Sequence, residues 1–199
     1  MDLKKMLGAL PRNFFMSINR FPLSFFCSGA GTMLMIAFNY ENKSDQSVVL
    51  LKGAMVLFMG MFLFTLVQIL CERLEYRGRS RSALYLCGII FISVYYMFMP
   101  STIQDCDTLR YSIICASFFL MIFIAPFAGR GAAAGRIFQL NLWRMGKWFA
   151  YAVIASGILF TGIVMAYLMV SSLFEIAKGD YLLYAFFICG GFVAPVIFL

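Results

Sequence analysis

The chain has 199 residues, 63% hydrophobic and 13% charged, with a formal charge of +7. Ordinary soluble domains carry about 25% charged residues, so a chain with half that share and a mean hydropathy of +0.89 has too little polar surface to cover its apolar side chains. Disorder, which needs low hydrophobicity, is excluded with the soluble classes, and the lack of any histidine removes Ser-His-Asp catalysis, HExxH zinc proteolysis and haem ligation by His.

Residues 1–20 form a basic segment, with Lys4, Lys5, Arg12 and Arg20 against Asp2. Leu3, Met6, Leu7 and Leu10 recur at helical spacing before Pro11. The segment reads as a short helix on the membrane surface or as a basic tail. Six apolar runs follow within residues 21–199, at about 21–40, 48–71, 83–100, 111–128, 148–174 and 181–199. A membrane helix needs ~20 apolar residues, so each run is a candidate span, and the long fifth fits a tilted helix. The first run exceeds the ~7–15 residues of a signal-peptide core, and Phe25 and Phe26 stand before Cys27 where lipoprotein processing needs small residues. A soluble helical bundle would need polar stripes, and Phe118-Phe119-Leu120-Met121-Ile122-Phe123-Ile124 has none. The expected fold is therefore all-α, a polytopic transmembrane bundle of six spans.

The connections set the orientation. Lys and Arg number 4, 1, 4, 1, 4 and 1 from the N-terminal segment onward, with Lys52 set apart near the outer end of the second span. The rich segments hold Arg73, Arg77, Arg79 and Arg81, then Arg130, Arg136, Arg144 and Lys147; the poor ones hold acids such as Asp45, Asp105, Asp107 and Asp180. Alternation of this kind is the positive-inside pattern, and it places both termini in the cytoplasm. The basic balance then speaks to anionic headgroups and not to nucleic acid, for which no basic groove with interleaved aromatics exists.

Membrane helices associate through small residues and polar contacts. Candidate packing positions are Gly29 and Gly31 in Ser28-Gly29-Ala30-Gly31, Gly53 and Gly60, the pair Gly162 and Ala166, and the pair Gly190 and Ala194. Gln68 is the clearest polar side chain inside a span and is expected to bond a neighbouring helix; Asn39 is interfacial, and Pro126 and Pro195 are candidate kinks.

Chemical candidates are sparse. Met55, Met59, Met61, Met97 and Met99 offer thioethers that suit copper(I), but they read as core packing. Of six cysteines, Cys106 falls in an outer connection and Cys115 in the fourth span, a pair that could form a disulfide; the others read as small apolar residues. Asp105-Cys106-Asp107 offers two carboxylates to a divalent cation, against the simpler reading of a solvated loop. The Arg73–Arg81 cluster could meet lipid phosphate, or simply hold its segment inside. No cofactor and no metal is expected.

Several short stretches in order carry a family resemblance. Arg20-Phe21-Pro22-Leu23 opens the first span, Glu72-Arg73 closes the second, Ala125-Pro126-Phe127 ends the fourth, Trp143 precedes the fifth, Gly162 lies within it and Leu173-Phe174 ends it. Over residues 20–199 this order resembles the bacterial membrane-protein family catalogued as domain of unknown function 4153. The resemblance implies a multi-pass protein of the bacterial inner membrane; it implies no activity and carries over no catalytic residues.

The leading functional expectation is a non-catalytic membrane module or scaffold. A small-solute transporter would need a polar path, for which Gln68, Lys52 and Asn39 are few. An enzyme acting on a lipid-linked substrate at the outer face would use Asp105 and Asp107. The sixth run offers 19 residues to Leu199, roughly 28 Å of helix against a ~30 Å hydrocarbon core. No basic or aromatic anchor follows it. The expected partners are the lipid bilayer and further spans, from a longer chain of which this is expected to be a truncated piece or the first module, or from other membrane proteins.

Overall fold

The second span is apolar all round, with no face to show water, and a helix of that kind belongs in the middle of a bundle. The computed structural model describes residues 18–40, 45–75, 78–100, 105–127, 134–174 and 180–198, the side chains of 45–47, 134–141, 173–174 and 180 excepted. The elements are α1 (Pro22–Tyr40), α2 (Asp45–Arg73), α3 (Arg79–Phe98), α4 (Asp105–Ile124) with a 3-10 turn at Ala125–Phe127, and α5 (Ala134–Phe174). They are followed by α6 (Asp180–Phe186), a π-helical stretch Phe187–Val193 and α7 (Ala194–Phe198). Among the described residues there is no strand. Six helical stretches among the described residues are long and apolar enough to cross a membrane, the sixth being α6, the π stretch and α7 together. The protein is an all-α, multi-pass membrane bundle. The basic segment before residue 18, and Glu41, Lys43, Arg77, Arg130, Glu175 and Lys178 of the connections, lie outside the described residues.

Helices overrun the hydropathy boundaries, because a helix continues into the interface where charged side chains are tolerated. α3 begins at Arg79 and not near 83, and α4 at Asp105 and not near 111. Asp105 and Asp107 therefore sit in the first turn of α4, not in a loop. Carboxylates there complement the positive end of the helix dipole. α5 is 41 residues long, roughly 60 Å at ~1.5 Å per residue and about twice the hydrocarbon thickness. Arg144 and Lys147 consequently ride on the helix instead of in a connecting loop, Lys147 Nζ lying 5.2 Å from the centre of the Trp143 ring. Exposed Trp143 and Trp148 stand where interfacial aromatic anchors are found. Pro126 ends α4 in the 3-10 turn and does not kink a continuing helix. All six cysteines are free. Cys106 and Cys115 are nine residues apart on α4, roughly 14 Å along its axis, too far for a disulfide.

In α2, 72% of the apolar window is buried, against 6% for the windows of α3 and α5. The outer helices wrap this hub. On one side α1 approaches closely enough that a Cβ at Gly31 would meet Leu57 at 3.4 Å and Phe58 at 3.5 Å. On another, a Cβ at Gly60 would lie 3.0 Å from Ile92 of α3 and 3.4 Å from Cys27 Sγ of α1. α4 completes the wrap, with Ile122 against Leu66 and Phe119 edge-on to Phe62 at 6.1 Å. Met59 is fully buried, as a core-filling thioether.

The sixth span lies between α1 and α5. Its centre is π-helical, and the sequence explains why. Gly190-Gly191 resists regular helix, and Pro195 has no N–H to give the carbonyl four residues back, that of Gly191. Ala194 N–H bonds the Cys189 carbonyl, a five-residue step. Two hydroxyls from other helices fill the coordination of this loosened backbone: Ser28 Oγ of α1 donates to the Gly191 carbonyl at 2.6 Å, and Ser156 Oγ of α5 to the Cys189 carbonyl at 2.6 Å. Backbone freed by glycine and proline inside a membrane is re-satisfied by neighbouring hydroxyls in this manner.

Candidate functional site

Arg20, Ser24, Ser28 and Thr32 recur every four residues, so they form one stripe along the start of the chain's first span. Each rung is used. Arg20 Nε bonds Glu72 Oε1 at 2.9 Å and Oε2 at 3.1 Å, and its Nη2 joins Oε2. Ser24 Oγ lies 2.9 Å from Thr65 Oγ1, which is also 2.8 Å from the Met61 carbonyl. Ser28 holds Gly191, and Thr32 Oγ1 donates to the Ser28 carbonyl at 2.9 Å.

At the basic end the stripe runs into a network across three helices. Gln68, buried in α2, donates through Nε2 to Glu72 Oε1 at 2.7 Å. Its Oε1 accepts from Arg81 Nη2 at 3.0 Å and from the Tyr85 hydroxyl, both on α3. Arg81 also lies 5.8 Å from the Tyr85 ring centre. The hydrogen bond to Glu72 raises the Arg20 pKa above its ordinary value, outweighing the opposing effect of partial burial. The Arg20–Glu72 pair is 56% and 35% exposed, and pairs so placed contribute little to stability, ~0–1 kcal/mol. Gln68 is only 4% exposed, and its bonds carry the fixing of α2 to α3.

Two cavities adjoin this network. One, of about 360 Å³, is lined by Arg20, Glu72, Arg73, Pro126, Met145 and Trp148. The other, of about 480 Å³, runs deeper among α2, α4, α5 and the sixth span, with Met61, Phe62, Phe119, Phe149 and Ala152 in its walls. Thr65, Ile122 and Phe198 belong to the walls of both. Arg73 Nε is buried and has no hydrogen-bond partner among the described residues.

Gln68 bonds a neighbouring helix. Gly31 is a close crossing of α1 on α2, and Gly29 sits under Phe192, whose ring would be 3.6 Å from a Cβ there. Gly162 and Ala166 are exposed on α5, and a Cβ at Gly162 would meet nothing within 4 Å; α5 turns Ala152 and Ser156 inward instead. Gly190 is likewise open, while its neighbour Gly191 is the close approach: a Cβ there would fall 2.7 Å from Thr32 Oγ1 and 3.1 Å from Phe58. Ala194 and Gly190 both line the deep cavity. Asp105 is exposed and Asp107 half-buried. No group of three or more potential metal-ligating side chains occurs among the described residues. At that opposite end Lys52 Nζ donates to the Met99 carbonyl at 3.1 Å. Sequence reading missed the roles of Ser24, Thr65 and Ser156; the four-residue recurrence from Arg20 to Thr32 was the available signal for Ser24, whereas Arg73 belongs to the basic cluster already read as able to meet lipid phosphate.

No family model, curated protein or solved structure matches this chain.

Proposed function

We propose that the protein is a non-catalytic membrane module of the bacterial inner membrane, a scaffold with both ends of its six-span bundle on the cytoplasmic side. The resemblance to the domain of unknown function 4153 family fits this reading. The observation that carries it is the fate of the buried polar groups. Ser24, Ser28, Thr32, Thr65, Gln68 and Ser156 are the buried polar side chains among the described residues, and each is hydrogen-bonded within the chain. A solute path needs polar groups turned to water; all of these but Thr32, which bonds back to the Ser28 carbonyl within α1, are spent on joining helices. Among the described residues only Asn39 Nδ2 and Arg73 Nε are buried side-chain polar atoms without a partner.

The test is complementation of a strain lacking the gene. A scaffold depends on fold and surface, so Asp105→Asn/Asp107→Asn and a cysteine-free variant support wild-type function at wild-type protein level. Loss of function in a folded, correctly inserted Asp105→Asn/Asp107→Asn protein would instead establish the enzyme reading. Saturable solute uptake by proteoliposomes of the pure protein would establish transport.

A further inference from the structure

The two cavities share three wall residues, so their contents would touch. One has a basic lining at the end of the bundle; the other is an apolar chamber inside the span region. We propose that together they form a binding site for one anionic phospholipid, with its phosphate against Arg73 and one acyl chain in the chamber between α2, α4 and α5.

The charge balance favours an anion. Arg20 and Arg73 stand against Glu72 in the smaller cavity, at the basic end of the bundle, and Glu72 is already bonded to Arg20 and Gln68. Arg73 is the surplus cation, and its Nε is buried without a partner. Burying an unsatisfied donor of a charged group is costly, and a phosphate oxygen is the acceptor to which guanidinium geometry is suited. Trp148 on the rim has the amphipathic ring that sits at headgroup level. The deeper walls offer Met61, Phe62, Phe119 and Phe149, surfaces for a hydrocarbon chain and not for a polar solute. Volumes of about 360 and 480 Å³ fall in the ~300–1,000 Å³ range of ligand pockets. A free phosphate would leave the larger compartment empty, and a neutral lipid would leave Arg73 unmatched; an anionic phospholipid answers both. This site is independent of the scaffold reading, since it asks only what the bundle holds.

The experiment uses the whole chain in neutral detergent, with native mass spectrometry and thermal melts. Dioleoyl phosphatidylglycerol, dioleoyl phosphatidylcholine and inorganic phosphate are the probes. The wild type retains phosphatidylglycerol at one-to-one stoichiometry, with about fivefold preference over phosphatidylcholine, the worth of one basic group near an anionic headgroup. Phosphate alone raises no melting temperature. Arg73→Gln abolishes the preference, Arg73→Lys keeps part of it, and Ala116→Phe, at an exposed wall position of the chamber, weakens both lipids. Equal binding of the two lipids by the wild type would overturn the proposal without recourse to any variant. So would an unchanged preference in folded Arg73→Gln, or a phosphate-only shift as large as that from the lipid.

Discussion

Ser28 Oγ lies 2.6 Å from the carbonyl oxygen of Gly191, 163 residues away, and takes the place of the backbone bond that Pro195 cannot make. The interaction ties the first span to the sixth at the point where the sixth leaves regular α geometry. Ser28→Ala should destabilise the bundle by roughly 0.6–1.7 kcal/mol, the range of interhelical hydrogen bonds in membranes. In a Pro195→Ala background residue 195 regains its N–H, so the same substitution should cost less. A double-mutant cycle by reversible unfolding in mixed micelles reads the coupling; identical costs in the two backgrounds would refute the compensation.

Adjacent glycines should respond differently. Gly191→Ala forces a methyl against the Thr32 hydroxyl, itself bonded to Ser28, and against Phe58, so it should cost about 1–3 kcal/mol as overpacking does. Gly190→Ala meets open space and should stay within ~0.5 kcal/mol of the wild type. Melting temperatures of the two variants decide this; equal values would remove the close crossing.

Gln68 joins two helices through one amide. Gln68→Leu leaves the Tyr85 hydroxyl and Arg81 without their acceptor at a site 4% exposed, a loss of about 1–3 kcal/mol. Tyr85→Phe in the same chain should recover part of it, because the orphaned hydroxyl is gone. Strict additivity of the two changes in unfolding experiments would contradict the network.

The acidic pair serves the α4 helix end. Asp105→Asn/Asp107→Asn should fold and insert, with a slightly lower melting temperature at low salt and no difference at high salt, where dipole interactions are screened. A loss that persists at high salt would assign the pair another role.

Topology is open to direct labelling. In a cysteine-free background, Asp107→Cys should react with an impermeant maleimide in intact cells, and Arg79→Cys only after permeabilisation. The alternating Lys/Arg count supplies the motive, and the reverse pattern would invert the map.

Hydropathy was enough to expose six spans, because hydrocarbon thickness imposes a length that composition must meet. It was blind to where helices end, since Asp105 and Ala134 lie outside any apolar window yet inside helices. Gln68 stood out because a lone amide in an apolar run has few uses. Ser28 and Ser156 did not, because their partners are backbone carbonyls of the sixth span, that of Gly191 left without the Pro195 N–H and that of Cys189 shared with the Ala194 N–H. Gly162 and Ala166 show the converse: small-residue spacing marks where a close contact is sterically allowed, whereas which face a helix turns inward depends on its neighbours.

The bond from Ser28 to Gly191 also bears on biogenesis. At ~5–20 residues per second, the ribosome needs roughly 8 to 33 s to make the 163 residues that separate them. Once it has cleared the ribosome, the first span waits in the bilayer for the rest of that interval while its carbonyl partner is unsynthesised. A serine hydroxyl is suited to such a wait, since it can bond back to the carbonyl four residues earlier on its own helix and exchange that acceptor when the sixth span arrives. A side chain that had to stay ionised would have spent those seconds unpaired in lipid, exposed to the cell's membrane quality control.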